Sequence, residues 1–69
     1  MATTIARVTE INATSDVSFD DAIKAGIARA HKTLRGVTGA WVKEQKVIVK
    51  DGAVKAYRVN LLVTFVLDD

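Results

Sequence analysis

The sequence contains no cysteine and no proline, only one histidine and one tryptophan, and two phenylalanines among its 69 residues. The absence of cysteine excludes disulfides and thiolate metal sites, so packing alone must hold the fold together. It also removes the thiol nucleophile, and no serine or acid surrounds His31 in a recognisable nucleophile arrangement. Triad hydrolysis is therefore disfavoured. The longest mostly apolar stretch, Val59 to Leu67, is interrupted by Asn60 and Thr64 and falls well short of the roughly 20 residues of a membrane helix. The start, MATTIARVTEI, lacks the apolar core and small-residue cleavage site of a signal peptide. No membrane span and a cytoplasmic location are the expectations. Charge of one sign is also lacking. Ten Lys/Arg against eight Asp/Glu leave +2, with the basic residues scattered, which argues against nucleic acid as a partner. Gly36, Gly39 and Gly52 form neither a GxGxxG nor a Walker pattern, so no phosphate loop is read.

What is abundant is apolar material: 49% of the residues are hydrophobic. A domain this small buries only ~60% of its unfolded surface, so the surplus points to contacts between subunits. Residues 1–69 read as a single domain without repeats or linkers.

Ile5 to Ile11 read as a strand, followed by a turn over Asn12-Ala13-Thr14-Ser15-Asp16. From Ser18, Ile23, Ile27, Ala30 and Leu34 recur at helical spacing, which predicts an amphipathic helix. Ser18 is its expected N-cap, Asp20 and Asp21 suit its first turn, and Lys32 and Arg35 precede Gly36 as C-cap. Two long β-rich stretches follow, Ala40 to Lys50 and Ala53 to Leu67, joined by Asp51-Gly52, a strong hairpin signal. In the second, Tyr57, Val59, Leu61, Val63, Phe65 and Leu67 form an apolar row, while Arg58, Asn60, Leu62, Thr64 and Val66 make a mixed one. One helix cannot cover both sides of such a sheet, which leaves a face for other subunits or a ligand. The expected class is α+β, ordered β-α-β-β.

Few residues carry chemistry. Off the Ala30 stripe, His31 reads as a surface or interface residue. Asp20-Asp21 and Asp68-Asp69 are candidate contributors to a hard-cation site such as calcium, but helix-dipole complementation and a solvated chain end account for them better. Trp41 shares a period-two row with Gly39, Lys43 and Gln45, otherwise small or polar, so its indole needs a partner: a planar ligand or, preferred on spacing alone, another subunit. Arg58 lies on the mixed row, suited to a flat heteroaromatic or, more simply, to an ion pair with Glu44 across the hairpin.

The segments RVTEINATSDVSFDDAI, ARAHKTLRGV, VKEQKVIV and DGAVKAYRVNLLVTFVLDD together resemble the dodecin family over almost the whole chain. The resemblance implies a strongly curved three-stranded antiparallel sheet wrapped around one helix. It also implies a hollow homododecamer that stores flavin (riboflavin, FMN or FAD) between trimers and is not an enzyme. Candidate flavin contacts are Gly39, Trp41, Gln45 and Arg58. Anchored on Val42-Lys43-Glu44-Gln45, Gly39 stands where the family carries tryptophan, and Trp41 follows two residues on, about 7 Å along the strand. Anchored on Tyr57, Arg58 stands where the family carries glutamine. Some dodecins bind coenzyme A through a basic residue in the tail, a position held here by Val66. The rival expectation is a dodecamer without flavin, which holds another small ligand or a cation or is purely structural.

Overall fold

The computed structural model describes residues 3–67, in the order β1 (Ala6–Ser15), α1 (Phe19–Thr33), β2 (Val37–Lys50) and β3 (Ala53–Val66). The strands form one antiparallel sheet ordered β1-β3-β2, so the last strand is central. This is the expected β-α-β-β arrangement of a three-stranded sheet and one helix. Among the described residues, no helix is long and apolar enough to cross a membrane. Met1, Ala2, Asp68 and Asp69 lie outside the described residues, and with them the terminal acidic pair.

β3 is central because it is the strand with a continuous apolar row to bury. Val59, Leu61 and Val63 are inaccessible to solvent, and α1 closes over them with Ala22 and Ala30, flanked by Ile11, Ala13, Phe19, Ile23, Ile27 and Leu34. Phe19 meets Tyr57 edge to face with ring centroids 5.1 Å apart. The small residues on the helix allow close approach. A Cβ on Gly26 would stand 3.0 Å from Leu61 Cδ1 and 3.2 Å from Ala13 Cβ.

β1 runs four residues further than its local sequence suggests. Asn12 to Ser15 favour a turn in isolation, yet all four pair with β3: Asn12 with Asn60, Ala13 with Val59, Thr14 with Arg58 and Ser15 with Tyr57. Ladder pairing to a long central strand outweighs local propensity. The turn starts at Asp16 instead, and buried Ser15 organises it. Its Oγ accepts from Val17 N–H (2.9 Å) and Ser18 N–H (3.4 Å) and donates to Asp21 Oδ2 (2.6 Å). Ser18 is the N-cap as expected, its Oγ accepting from Asp21 N–H at 2.9 Å.

The helix end differs from expectation. Leu34, in extended conformation, is the C-cap, and its N–H bonds Ala30 O. Gly36 comes too late to cap. It turns the chain into β2 at φ 73°, and its carbonyl accepts from Val66 N–H at 3.0 Å. A Cβ there would meet Val66 O at 2.9 Å, so both conformation and space require glycine. At the hairpin, Asp51 (φ 54°) and Gly52 (φ 76°) both take the left-handed conformation of a type I′ turn, as Asp-Gly predicts.

Candidate functional site

The two sides of the sheet differ in cover. α1 lies over β1 and β3 and touches β2 only at its margin. The opposite side, here the outer face, carries no element among the described residues. Cross-strand register arranges its side chains in rows that run β2, β3, β1: Gly39, Thr64, Val8; then Trp41, Leu62, Glu10; then Glu44, Asn60, Asn12; then Lys46, Arg58, Thr14.

Gly39 and Trp41 therefore do share the outer face, in adjacent rows. Trp41 is 61% exposed, and nothing lies within 4 Å of a Cβ built on Gly39, so the indole is open with free space beside it. Period two breaks beyond Trp41. A register shift between Val42 and Glu44 inserts Lys43 as an extra residue, so Glu44 faces Asn60 on the outer side. Gln45 falls opposite Val59, in the helix-side register, and is no longer in the Trp41 row, although it still lines the cavity described next. A bulge carries no sequence signature strong enough to be read in advance here.

Below the Trp41 row the outer face is polar and interconnected. Lys43 Nζ lies 3.5 Å from both carboxylate oxygens of Glu10, and Asn60 Nδ2 donates to Glu10 Oε2 at 3.4 Å. Asn12 Nδ2 donates to Asn60 Oδ1. Arg58 Nε donates to Thr14 Oγ1 at 3.1 Å and does not pair with Glu44; the residue directly opposite it is another cation, Lys46. A shallow cavity of about 210 Å³ opens here, lined by Asn12, Glu44, Gln45, Lys46, Arg58 and Asn60. Of these, Asn12 and Lys46 are invisible to sequence reasoning, because only the β1-β3-β2 order brings them beside Arg58.

Arg58 and Trp41 share the face but not a location. Trp41 stands opposite Leu62, four residues from Arg58 along β3, or roughly 14 Å. Within one chain a single ring cannot stack on the indole and lie against the guanidinium.

The remaining candidates behave simply. Asp20 pairs with Lys24 at 3.1 Å, and Asp21 accepts from Ser15, so both first-turn carboxylates are engaged. No group of three or more His, Cys, Asp or Glu is placed to hold a metal ion among the described residues. His31 is exposed beside an open apolar groove lined by Ile23, Lys24, Ile27, Ala28 and Val37.

This architecture has close relatives. The sequence model of the Dodecin family matches residues 5–68. The chain belongs to the dodecin family. It is 40% identical to the curated dodecin of Thermus thermophilus over 60 residues, which is 87% of either chain. The dodecin structure from Streptomyces coelicolor superposes with a TM-score of 0.92 at 32% identity, covering 100% of this chain and 99% of that one. Dodecin from Streptomyces davaonensis does so with 0.92 at 35% identity, covering 99% and 100%. Gly39, Trp41 and Arg58 all lie on the outer face of this dodecin's sheet.

Proposed function

We propose that this dodecin assembles as a hollow homododecamer and binds flavin (riboflavin, FMN or FAD) on the outer face of its sheet, as a cytoplasmic store or buffer and not as a catalyst. The observation that carries the reading is Trp41, an indole 61% exposed in the open row beside Gly39. A lone chain gains nothing by holding its only tryptophan in water. A planar ring laid on it recovers stacking energy on the order of 1 kcal/mol.

The residues present fit a flat heteroaromatic in a modified way. Trp41 supplies the plane, Gly39 leaves room for the ring to approach, and Asn60 and Arg58 supply polar groups along the same face. Flavin brings the redox-active, light-absorbing ring, while the chain's part is to hold that ring and exclude water from it. Because Trp41 and Arg58 are separated along the strand, the reading requires side chains from more than one copy around each ring.

Assembly is supported independently by the apolar surface left outside the core. Ile5, Val8, Val17, Val42, Val47, Val49 and Val54 are all 40% or more exposed, and β2 has no buried residue. Light scattering on size-exclusion peaks is expected to give a mass near twelve copies of the 7.5 kDa chain; a monomer overturns the assembly. Titrating FMN or riboflavin with micromolar protein is expected to quench flavin fluorescence. Unquenched flavin removes the cargo and leaves the shell.

A second reading, a shell that has exchanged flavin for another small ligand, a cation or no ligand, is favoured by Gly39 and Arg58, which stand where the resemblance implies the family's tryptophan and glutamine. Colour separates the two, since a flavin shell purifies yellow.

A further inference from the structure

We infer that the free end of the β2-β3 hairpin is a docking arm, and that it lies in the open groove beside α1 of a second copy of the chain. The arm is the part of the hairpin that outruns the rest of the fold. β1 pairs with β3 only as far as Ser15 opposite Tyr57, and α1 begins at Phe19, whose ring already sits against Tyr57. Ile48 to Lys50 and Ala53 to Ala56 carry on past that level as two strands and a turn, roughly 13 Å further, in a chain 56 Å long and 14 Å thick. A two-stranded ribbon with nothing packed on it is marginally stable in water.

One side of the arm is apolar. Val47 stands at its base opposite Tyr57, Val49 follows at period two, and Val54 lies across the ladder from Val49. These valines are 40%, 59% and 51% exposed, because beyond the start of α1 no element among the described residues covers them. The groove lies on the helix side as well. Ile23, Ile27 and Ala28 of α1 and Val37 of β2, with Lys24 and His31, line an open space of about 450 Å³, left free because α1 sits over β1 and β3 and reaches β2 only at its margin.

The arm cannot fill its own groove. Ladder pairing holds it extended as far as Lys50 opposite Ala53, and Val37 lies twelve residues before Val49 along β2, roughly 40 Å away. An apolar projection and an apolar concavity on one chain thus meet only between copies. The area agrees. The chain exposes 5202 Å², whereas a compact protein of 7.5 kDa exposes about 4,200 Å². The surplus, roughly 1,000 Å², is close to the ~800 Å² that each partner gives to a standard protein interface and more than a small ligand covers. The contact rests on the proposed assembly, and it involves neither the outer face nor flavin.

The test uses the assembled protein, whose lack of cysteine makes introduced thiols unique. Ala28→Cys marks the groove and Val49→Cys the arm, both exposed positions where the change is small. Treated with a short bismaleimide, the double variant is expected to give covalent dimers and higher multimers on a denaturing gel, and each single variant is expected to run mainly as one chain. A double variant that links no better than either single one, in protein that light scattering shows to be assembled, overturns the docking and leaves the assembly standing. A wild-type mass of one chain overturns both. As a second measurement, Val54→Asp and Ala28→Asp are each expected to raise the concentration at which the assembly dissociates by about tenfold or more, the size of one valine side chain lost from an interface. Far-ultraviolet circular dichroism confirms that each variant is folded, and dissociation unmoved in both folded variants also overturns the docking.

Discussion

β2 and β3 are equally long, adjacent in sequence and joined by a two-residue turn, yet β3 holds three residues with no exposed surface and β2 holds none. Valine content does not explain this, because each strand holds four valines, although only β3 carries them in a continuous apolar row. Position does. β3 has a neighbour on each side and α1 over its odd-numbered row, whereas β2 is an edge strand that the helix reaches only at its margin. Burial is a property of place in the sheet, and the same valine is core in one strand and surface in the other. The lesson extends to function, because the strand left open is the one that carries Gly39, Trp41 and Lys46.

Substitutions in the two strands test this contrast. The largest effect is expected from Leu61→Ala, which removes the centre of the β3 core under α1 and costs about 2–5 kcal/mol, read as a fall in the urea midpoint at every protein concentration. A cost below 1 kcal/mol would mean that β3 is not the core. Next is Gly36→Ala, which places a Cβ 2.9 Å from Val66 O at a φ of 73°, where the left-handed conformation alone costs about 1–2 kcal/mol. A wild-type midpoint would show that the β2 entry can relax. Ser18→Ala removes the cap of the helix whose placement separates the two strands, at a cost of about 1 kcal/mol by thermal unfolding. The smallest effect is expected from Val49→Thr in β2, which keeps β-branching at a site 59% exposed and changes the subunit's own stability by about 0.5 kcal/mol or less. A larger loss that deepens on dilution identifies β2 as a strand covered by another copy.

The Ser18 cap, the Ile23-Ile27-Ala30 stripe and the Asp51-Gly52 turn were legible because each depends on residues within a few positions of one another. The odd-numbered row of β3 was legible for the same reason: its period of two needs no partner to be read. Three features were not. Asn12 to Ser15 extend β1 because β3 is there to pair with them, Gly36 serves the approach of Val66 and not the helix end, and Lys43 bulges out of β2. Each is decided by a residue at least 15 positions away in sequence or by strain across a ladder.

The outer face divides along the same line. That Trp41 and Arg58 are unusual residues for their strands is evident from the sequence, and so is the excess of apolar material that one small core cannot hide. Placing Lys46 opposite Arg58, Thr14 behind its Nε and Gln45 outside the Trp41 row required the strand order and the bulge. By itself the sequence determined most of the elements, the apolar row and the apolar surplus, since these follow from local periodicity and composition. Which side chains meet was decided by tertiary structure, because cross-strand register couples residues with no relation in sequence and a single inserted residue exchanges the two faces of a strand.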